Sequence, residues 1–441
     1  MKKKVFITAI IVIIMLFPCS VSATGFDTKD ITIYAAGTYD EDIAPILFEW
    51  NELLYKGFIN KQGELLFYVE WNYENDYDQE SWKAFDWDFE ELNSTTFEGG
   101  YSWFEKGDKR YIINTEGKIV SSYNRQDVLC TGAGYTWIVT ENETAWDNPG
   151  GYSFILYKPN GKVETSLDFD FNNYEDWEVD ELREELEDYE FHYFGQGVFG
   201  TKYNDKLYFT NSQKWVDYDD ADTFWESKIK FDGNKYAVLK FDDDENGTYV
   251  TFIDKDGVLQ RIDIPEIDIY YYRLQGISEN YMLFSSDDVF YYFNIQEKSL
   301  HRYNGKFKDY VYTYMTYIHG EINNNYLAFT MSGADQKEYV ALINCDTLEE
   351  YGPIYIKDRD SFSLKQDILV IENDTETQLL DLQGNILSLY DNEKNVRYVR
   401  NGVVVCMPEN KGWPEYYHYD GTKLFEKYDF SNPTDLGSAV K

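Results

Sequence analysis

The sharpest chemical pattern in the sequence is Asp242-Asp243-Asp244-Glu245-Asn246-Gly247. Asp242, Asp244 and Asn246, followed by Gly247, keep the D-x-D-x-N-G order that wraps hard oxygen ligands around Ca²⁺. The twelfth position, where a bidentate glutamate would complete the shell, is Ile253. The segment therefore reads either as an incomplete calcium loop or as a solvated hairpin loop between Tyr236 to Phe241 and Tyr249 to Ile253. Calcium is the only cofactor the residues suggest.

Catalytic chemistry has less to build on. The histidines are His192, His301, His319 and His418, and none lies in a G-x-S-x-G or H-E-x-x-H context. A glycosidase needs two carboxylates roughly 5 to 9.5 Å apart across one sugar. With 80 acidic residues, some pair meets that distance by chance, so acidic abundance is no sign of hydrolysis. Two tryptophans stand apart from the strand-like runs. Trp146 and Trp413 sit in the polar segments Glu141 to Gly151 and Pro408 to Glu415, as stacking platforms for a glycan or as caps on hydrophobic edges.

These loops need a scaffold, and the sequence repeats one. Short runs of Tyr, Phe, Ile and Val enter a turn of Asn or Asp with Gly and leave in a second apolar run, which is the pattern of a β-hairpin. The clear copies are Gly57 to Leu65, Tyr111 to Ile119 and Thr251 to Leu259; Gly161, Gly384 and Gly421 mark three more. Copies without the glycine fill the long gaps at Tyr208 to Gln213, Tyr292 to Glu297 and Leu342 to Thr347. Nine units thus recur about every 45 residues, most with a further apolar strand upstream such as Tyr135 to Val139 or Ile368 to Ile371. Four-strand repeats of that period are those of propeller blades. The expected fold is all-β: a single β-propeller of seven or eight blades, eight favoured, with the first and last units sharing a blade. An open solenoid or two smaller β domains would leave the same trace. One short inserted helix is expected over Asp176 to Tyr189, where Val179, Leu182, Leu186 and Tyr189 form an apolar stripe; a second insertion, acidic and aromatic, runs from Trp71 to Phe97.

The N-terminus reads as a secretory signal. Lys2 to Lys4 precede the apolar run Val5 to Phe17, and Val21-Ser22-Ala23 offers small residues for cleavage after Ala23. The expected division is a signal peptide (1–23), a repeat domain (24–430) and a polar C-terminal tail (431–441), in a protein that works outside the cell. A formal charge of −40 argues against nucleic acid or anionic lipid as partner, and no later stretch is apolar enough to cross a membrane by helix. Cys130, Cys345 and Cys406 survive cleavage, each in or beside an apolar run; buried thiols are expected, with one disulfide among them the alternative.

The units Lys56-Gly57-Phe58-Ile59-Asn60-Lys61-Gln62-Gly63 and Tyr111 to Ile119 resemble the WG repeat (KWG type) of bacterial proteins, and Phe97-Glu98-Gly99-Gly100-Tyr101 resembles its opening segment. No copy holds the Trp-Gly pair itself: Lys56 takes the tryptophan's place in the first unit and Arg110 stands there in the second. The resemblance implies repeated β units and a binding role, and it carries no catalytic residues. The expected function is therefore a secreted, non-catalytic binding or interaction protein for an extracellular glycan or protein. The alternative is a carbohydrate-active enzyme, a glycoside hydrolase or lyase, on the same scaffold.

Overall fold

In the computed structural model the chain is described at residue 26 and over 28–440, apart from 72–91, 93–94, 143–150, 171–190, 194–196, 202–205, 218–228, 232–234, 243–246, 255–258, 265–272, 279, 287–288, 308–310, 315–325, 333, 358–360, 366 and 409–412. The signal segment, the helix expected over 176–189, most of the 71–97 insertion, and Trp146, Asp244 and Asn246 lie outside these residues.

The described residues are all-β, with almost no helix, and they form nine small sheets. Seven of the nine have at least four strands; successive strands are antiparallel and come from one local stretch of chain, apart from a fifth, parallel strand that a C-terminal pair of residues adds to the first sheet. The first contains Ile31–Ala36, Ile43–Trp50, Leu53–Asn60 and Leu65–Glu70; the ninth contains Val396–Arg400, Val403–Cys406 and Glu415–His418. In eight of the nine sheets the repeat turn follows the third strand, and in the three-stranded second sheet it follows the second, Lys109–Asn114.

The turn chemistry explains the repeat. Asn60 Oδ1 accepts from the amides of Gln62 and Glu64, both at 3.0 Å, and Asn114 Oδ1 accepts from those of Glu116 (3.1 Å) and Lys118 (2.9 Å). Gly63 (φ +80°) and Gly117 (φ +73°) donate back to the Asn60 and Asn114 carbonyls, and a β-bulge follows in each register. This is a three-residue hairpin loop whose left-handed position favours glycine. In the copies that lack glycine the loop is one residue longer. Gln213, Lys298 and Leu348 then carry the positive φ (55°, 50° and 57°), because the left-handed position has moved one residue beyond the place where glycine is absent.

Gly57 serves a different purpose. A Cβ there would lie 2.7 Å from Leu65 Cδ1 and 2.9 Å from Phe48 Cε1, so this repeat glycine answers to close packing rather than to backbone conformation. Its neighbour Lys56 is buried, with Nζ 3.2 Å from the Trp103 carbonyl and 4.9 Å from the Trp103 ring. Arg110 lies 3.9 Å from the same ring and pairs with Glu105 at 2.6 Å. These cations of the first two units thus meet on one tryptophan of the second sheet.

Sheets pack on their sequence neighbours. Phe58, Phe67 and Val69 of the first join Phe104, Tyr111 and Ile113 of the second. Trp137 and Phe154 of the third join Phe199 and Tyr208 of the fourth. Leu283 and Phe290 of the sixth join Phe329 and Ile343 of the seventh, Val340 joins Leu369 and Ile371 of the eighth, and Tyr390 joins Val404 and Tyr417 of the ninth. The ninth sheet also packs on the first, through Val403, Val405 and Tyr416 against Ala36, Tyr39 and Ala44. First and last sheets remain separate and do not merge into one.

The segment after residue 430, which reads as a polar tail, is built into the fold. Thr434–Asp435 pairs in parallel with Phe67 and Tyr68 as a fifth strand of the first sheet, Leu436 is buried with Phe67 and Phe104, and Lys106 Nζ donates to the Gly437 carbonyl at 2.6 Å. The polar reading fails because only Pro433, Leu436 and Gly437 are buried between exposed residues, a spacing with neither helical nor strand period. The three cysteines among the described residues, Cys130, Cys345 and Cys406, are free. Cys345 and Cys406 are buried, and burial pushes each of these thiols up to about 12.

Candidate functional site

The turn between the first two strands of a sheet is where side chains from several sheets converge. In the first sheet it is Asp40-Glu41-Asp42, closed by mutual backbone bonds between Asp40 and Ile43 (3.1 and 2.9 Å). Glu41 and Asp42 both have positive φ, 48° and 67°, the geometry of a type I′ turn that Asn-Gly would fill without strain. Ala133-Gly134 in the third and Asn401-Gly402 in the ninth occupy the same place with the same signs of φ, and Gly99-Gly100, also at positive φ, stands just before the first strand of the second.

Side chains bind these turns to one another. Both carboxylate oxygens of Glu41 accept from the Gly100 amide, at 2.8 and 2.9 Å. Asn401 Nδ2 donates to the Tyr39 carbonyl at 2.9 Å, and Tyr416 Oη donates to the Gly37 carbonyl at 3.1 Å, joining the ninth sheet to the first. From the fourth sheet, Tyr193 Oη donates to Glu98 Oε1 at 2.7 Å and accepts from the Gly197 amide at 3.0 Å. Gly132 makes room for that tyrosine, since a Cβ there would fall 2.2 Å from Tyr193 Cγ.

The carboxyl of Asp40 lies within this constellation. Burial raises it above the ordinary aspartate range, Arg400 of the ninth sheet pulls the other way, and Glu98 of the second pushes with the burial. Two carboxylates, a guanidinium and a tyrosine hydroxyl, contributed by four sheets, make a polar mouth suited to hydroxyl-rich or charged ligands. The sequence contains one pointer to it, the Phe97-to-Tyr101 segment, and nothing that links Asp40 to Arg400 across 360 positions.

A group whose proton affinity is higher in the folded chain than in the unfolded one loses stability as pH rises through the interval between the two values. Asp40→Asn removes that loss while keeping an acceptor for the Glu41 amide, which Asp40 Oδ1 receives at 3.0 Å. The variant is expected to be more stable than the parent at pH 7, with the difference vanishing below the ordinary aspartate range. Urea midpoints at pH 7 and pH 3.5 check the sign.

Of the residues singled out by sequence, Trp413 and Asp242 are described. Trp413 is half-buried in the core shared by the ninth and first sheets, edge-to-face with Tyr428 (centroids 5.2 Å apart) and Phe430 (5.9 Å). Asp242 ends the strand Lys235–Asp242 and pairs with Gly247, which begins Gly247–Asp254. The calcium-like segment is thus flanked by two facing strand ends, and Ile253 at the twelfth position is a buried strand residue. Among the described residues no three His, Cys, Asp or Glu side chains gather as metal ligands. The loops bearing Trp146, Asp244 and Trp413 do share one position, between the second and third strands of the third, fifth and ninth sheets. His301 stacks on Tyr292, and His418 is exposed at its hairpin.

No protein-family model matches the sequence, and no curated protein matches it either, so the WG-repeat resemblance rests on the repeat residues themselves. Among solved structures, the chain is similar to the WD40 domain of SCAP from fission yeast (9% identity, 90% of this chain and 97% of that one, TM-score 0.35). It is also similar to the uncharacterized protein lmo1340 of Listeria monocytogenes EGD-e (7%, 90% and 95%, TM-score 0.31). A third is the β-propeller domain of the Trilobed protease from Pyrococcus furiosus, described with an open velcro topology (10%, 80% and 96%, TM-score 0.27).

Proposed function

We propose that the chain is a secreted, non-catalytic binding protein whose nine sheets close into a single β-propeller and whose ligand is an extracellular glycan. The contact of the ninth sheet with the first supports the closed ring, since a linear array would leave those two faces apart. The observation that carries the binding reading is the mouth of Asp40, Glu98, Tyr193 and Arg400, held by side-chain bonds that tie four sheets' inner elements together. Rigid placement of paired acceptors and a guanidinium lowers the ordering cost of binding a flexible, hydroxylated ligand.

The test is a glycan array with the mature chain, Thr24 to Lys441, in the presence and absence of calcium. Binding that Glu98→Gln with Arg400→Gln abolishes and Trp413→Phe leaves in place supports the mouth. The opposite dependence returns the ligand to the tryptophan loops, and a blank array rejects the glycan in favour of a protein partner. The raised Asp40 carboxyl beside Glu98 is the one feature that favours a carbohydrate-active enzyme. Release of reducing ends from the bound glycan, lost in Asp40→Asn, would establish that second reading.

A further inference from the structure

The C-terminal segment, from Leu424 to Val440, lies across the first sheet like a strap. Its first part is anchored on the ninth sheet, by the Leu424 amide on the Tyr416 carbonyl (2.8 Å), the Tyr428 hydroxyl on the Pro414 carbonyl (2.9 Å) and ring contacts with Trp413 and Tyr416, while its backbone pairings to the first sheet are short. Asp429 exchanges backbone bonds with Leu65 (2.8 Å) and Gly63 (2.9 Å), and Thr434–Asp435 adds only two residue pairs to the strand edge. Its buried side chains are Tyr428, Phe430, Pro433 and Leu436, while most of the residues between them are exposed. Phe430 enters an aromatic box, 5.4 Å from Phe48 and 6.2 Å from Phe26, whose amide donates to the Phe430 carbonyl at 3.4 Å.

Below the strap is a surface able to receive another strand. The strand Leu65–Glu70 is the edge of the first sheet once Thr434–Asp435 is lifted, and its amides and carbonyls are then open to pairing. Gly63 is shaped for the strap as well, since a Cβ there would come within 2.6 Å of the Phe425 ring. A long ordered segment fixed by three large anchors and short pairings opens more readily than the four-stranded sheets it covers.

We propose that residues 424–440 open as a unit while the nine sheets stay folded, and that the vacated edge and aromatic box bind the same segment supplied in trans, from a second copy of the chain. The occupant is fixed by the fold: an extended strand with aromatic residues two apart, followed by Pro-Thr-Asp-Leu.

The proposal is tested with a fluorescent peptide of residues 424–440 and the full-length chain, wild-type and Phe430→Ala. Weakening the resident strap raises the fraction of chains with a free groove. The peptide is therefore expected to bind the variant chain at least about tenfold more tightly than wild-type. Equal affinity for the two chains, or no binding to the variant, overturns the proposal. Because the variant could fail to fold, hydrogen exchange on the wild-type chain provides an independent reading. The Leu65 and Asp429 amides are expected to exchange well ahead of those in Ile368–Glu372, and exchange at one common rate overturns the proposal.

Discussion

Replacing Gly132 with alanine is expected to cost about 3 kcal/mol of stability or more, a large effect for one methyl group. Gly132 has no need of a left-handed backbone; the difficulty is that its Cβ would fall 2.2 Å from the Tyr193 ring. The tyrosine cannot step aside cheaply. Its hydroxyl is bound at both Glu98 and Gly197, and its ring packs 4.8 Å from Phe199. Either the third and fourth sheets separate or the hydroxyl bonds break. A urea titration measures the loss, and a double-mutant cycle with Tyr193→Ala identifies its source: in that background the same glycine substitution should cost little. A full cost with the tyrosine removed would place the conflict elsewhere.

Trp137 is expected to separate volume from polarity. It is fully buried between the third and fourth sheets, with ring centroids 4.6 Å from Phe191 and 5.8 Å from Trp215. Trp137→Ala leaves a cavity and should cost about 3–5 kcal/mol. Trp137→Phe should cost only about 1 kcal/mol, because the indole N–H has no acceptor among the described residues and its removal relieves a desolvated donor. Matching losses for the two variants would mean that the N–H is satisfied after all.

What the sequence made legible and what it concealed follow from the range of the interactions. The nine hairpin units were readable because each turn is a local device: Asn60 satisfies amides two and four residues ahead, and Gly63 closes back on the same asparagine. The first and last units, which the sequence allowed to share a blade, lie in separate sheets. First and ninth sheets instead meet face to face, through Tyr39 and Tyr416. The mouth was hardly visible, since Asp40, Glu98, Tyr193 and Arg400 belong to four distant stretches and no local spacing connects them. Trp413 was noticed for standing in a polar loop, yet its ring serves Tyr428 and Phe430, which no local spacing connects to it.

The meeting of Phe26 with Phe430 has a mechanical consequence. A pull applied between residues near the two ends of the chain is received first by that aromatic box and by the few bonds between Asp429 and Leu65, before any of the nine sheets is loaded. The parallel pairing of Thr434–Asp435 with Phe67 and Tyr68 adds a small second resistance along the same line. Under tension the molecule should therefore lengthen in two stages, a short early release of the strap at low force and a later, larger rupture as sheets come apart in sequence.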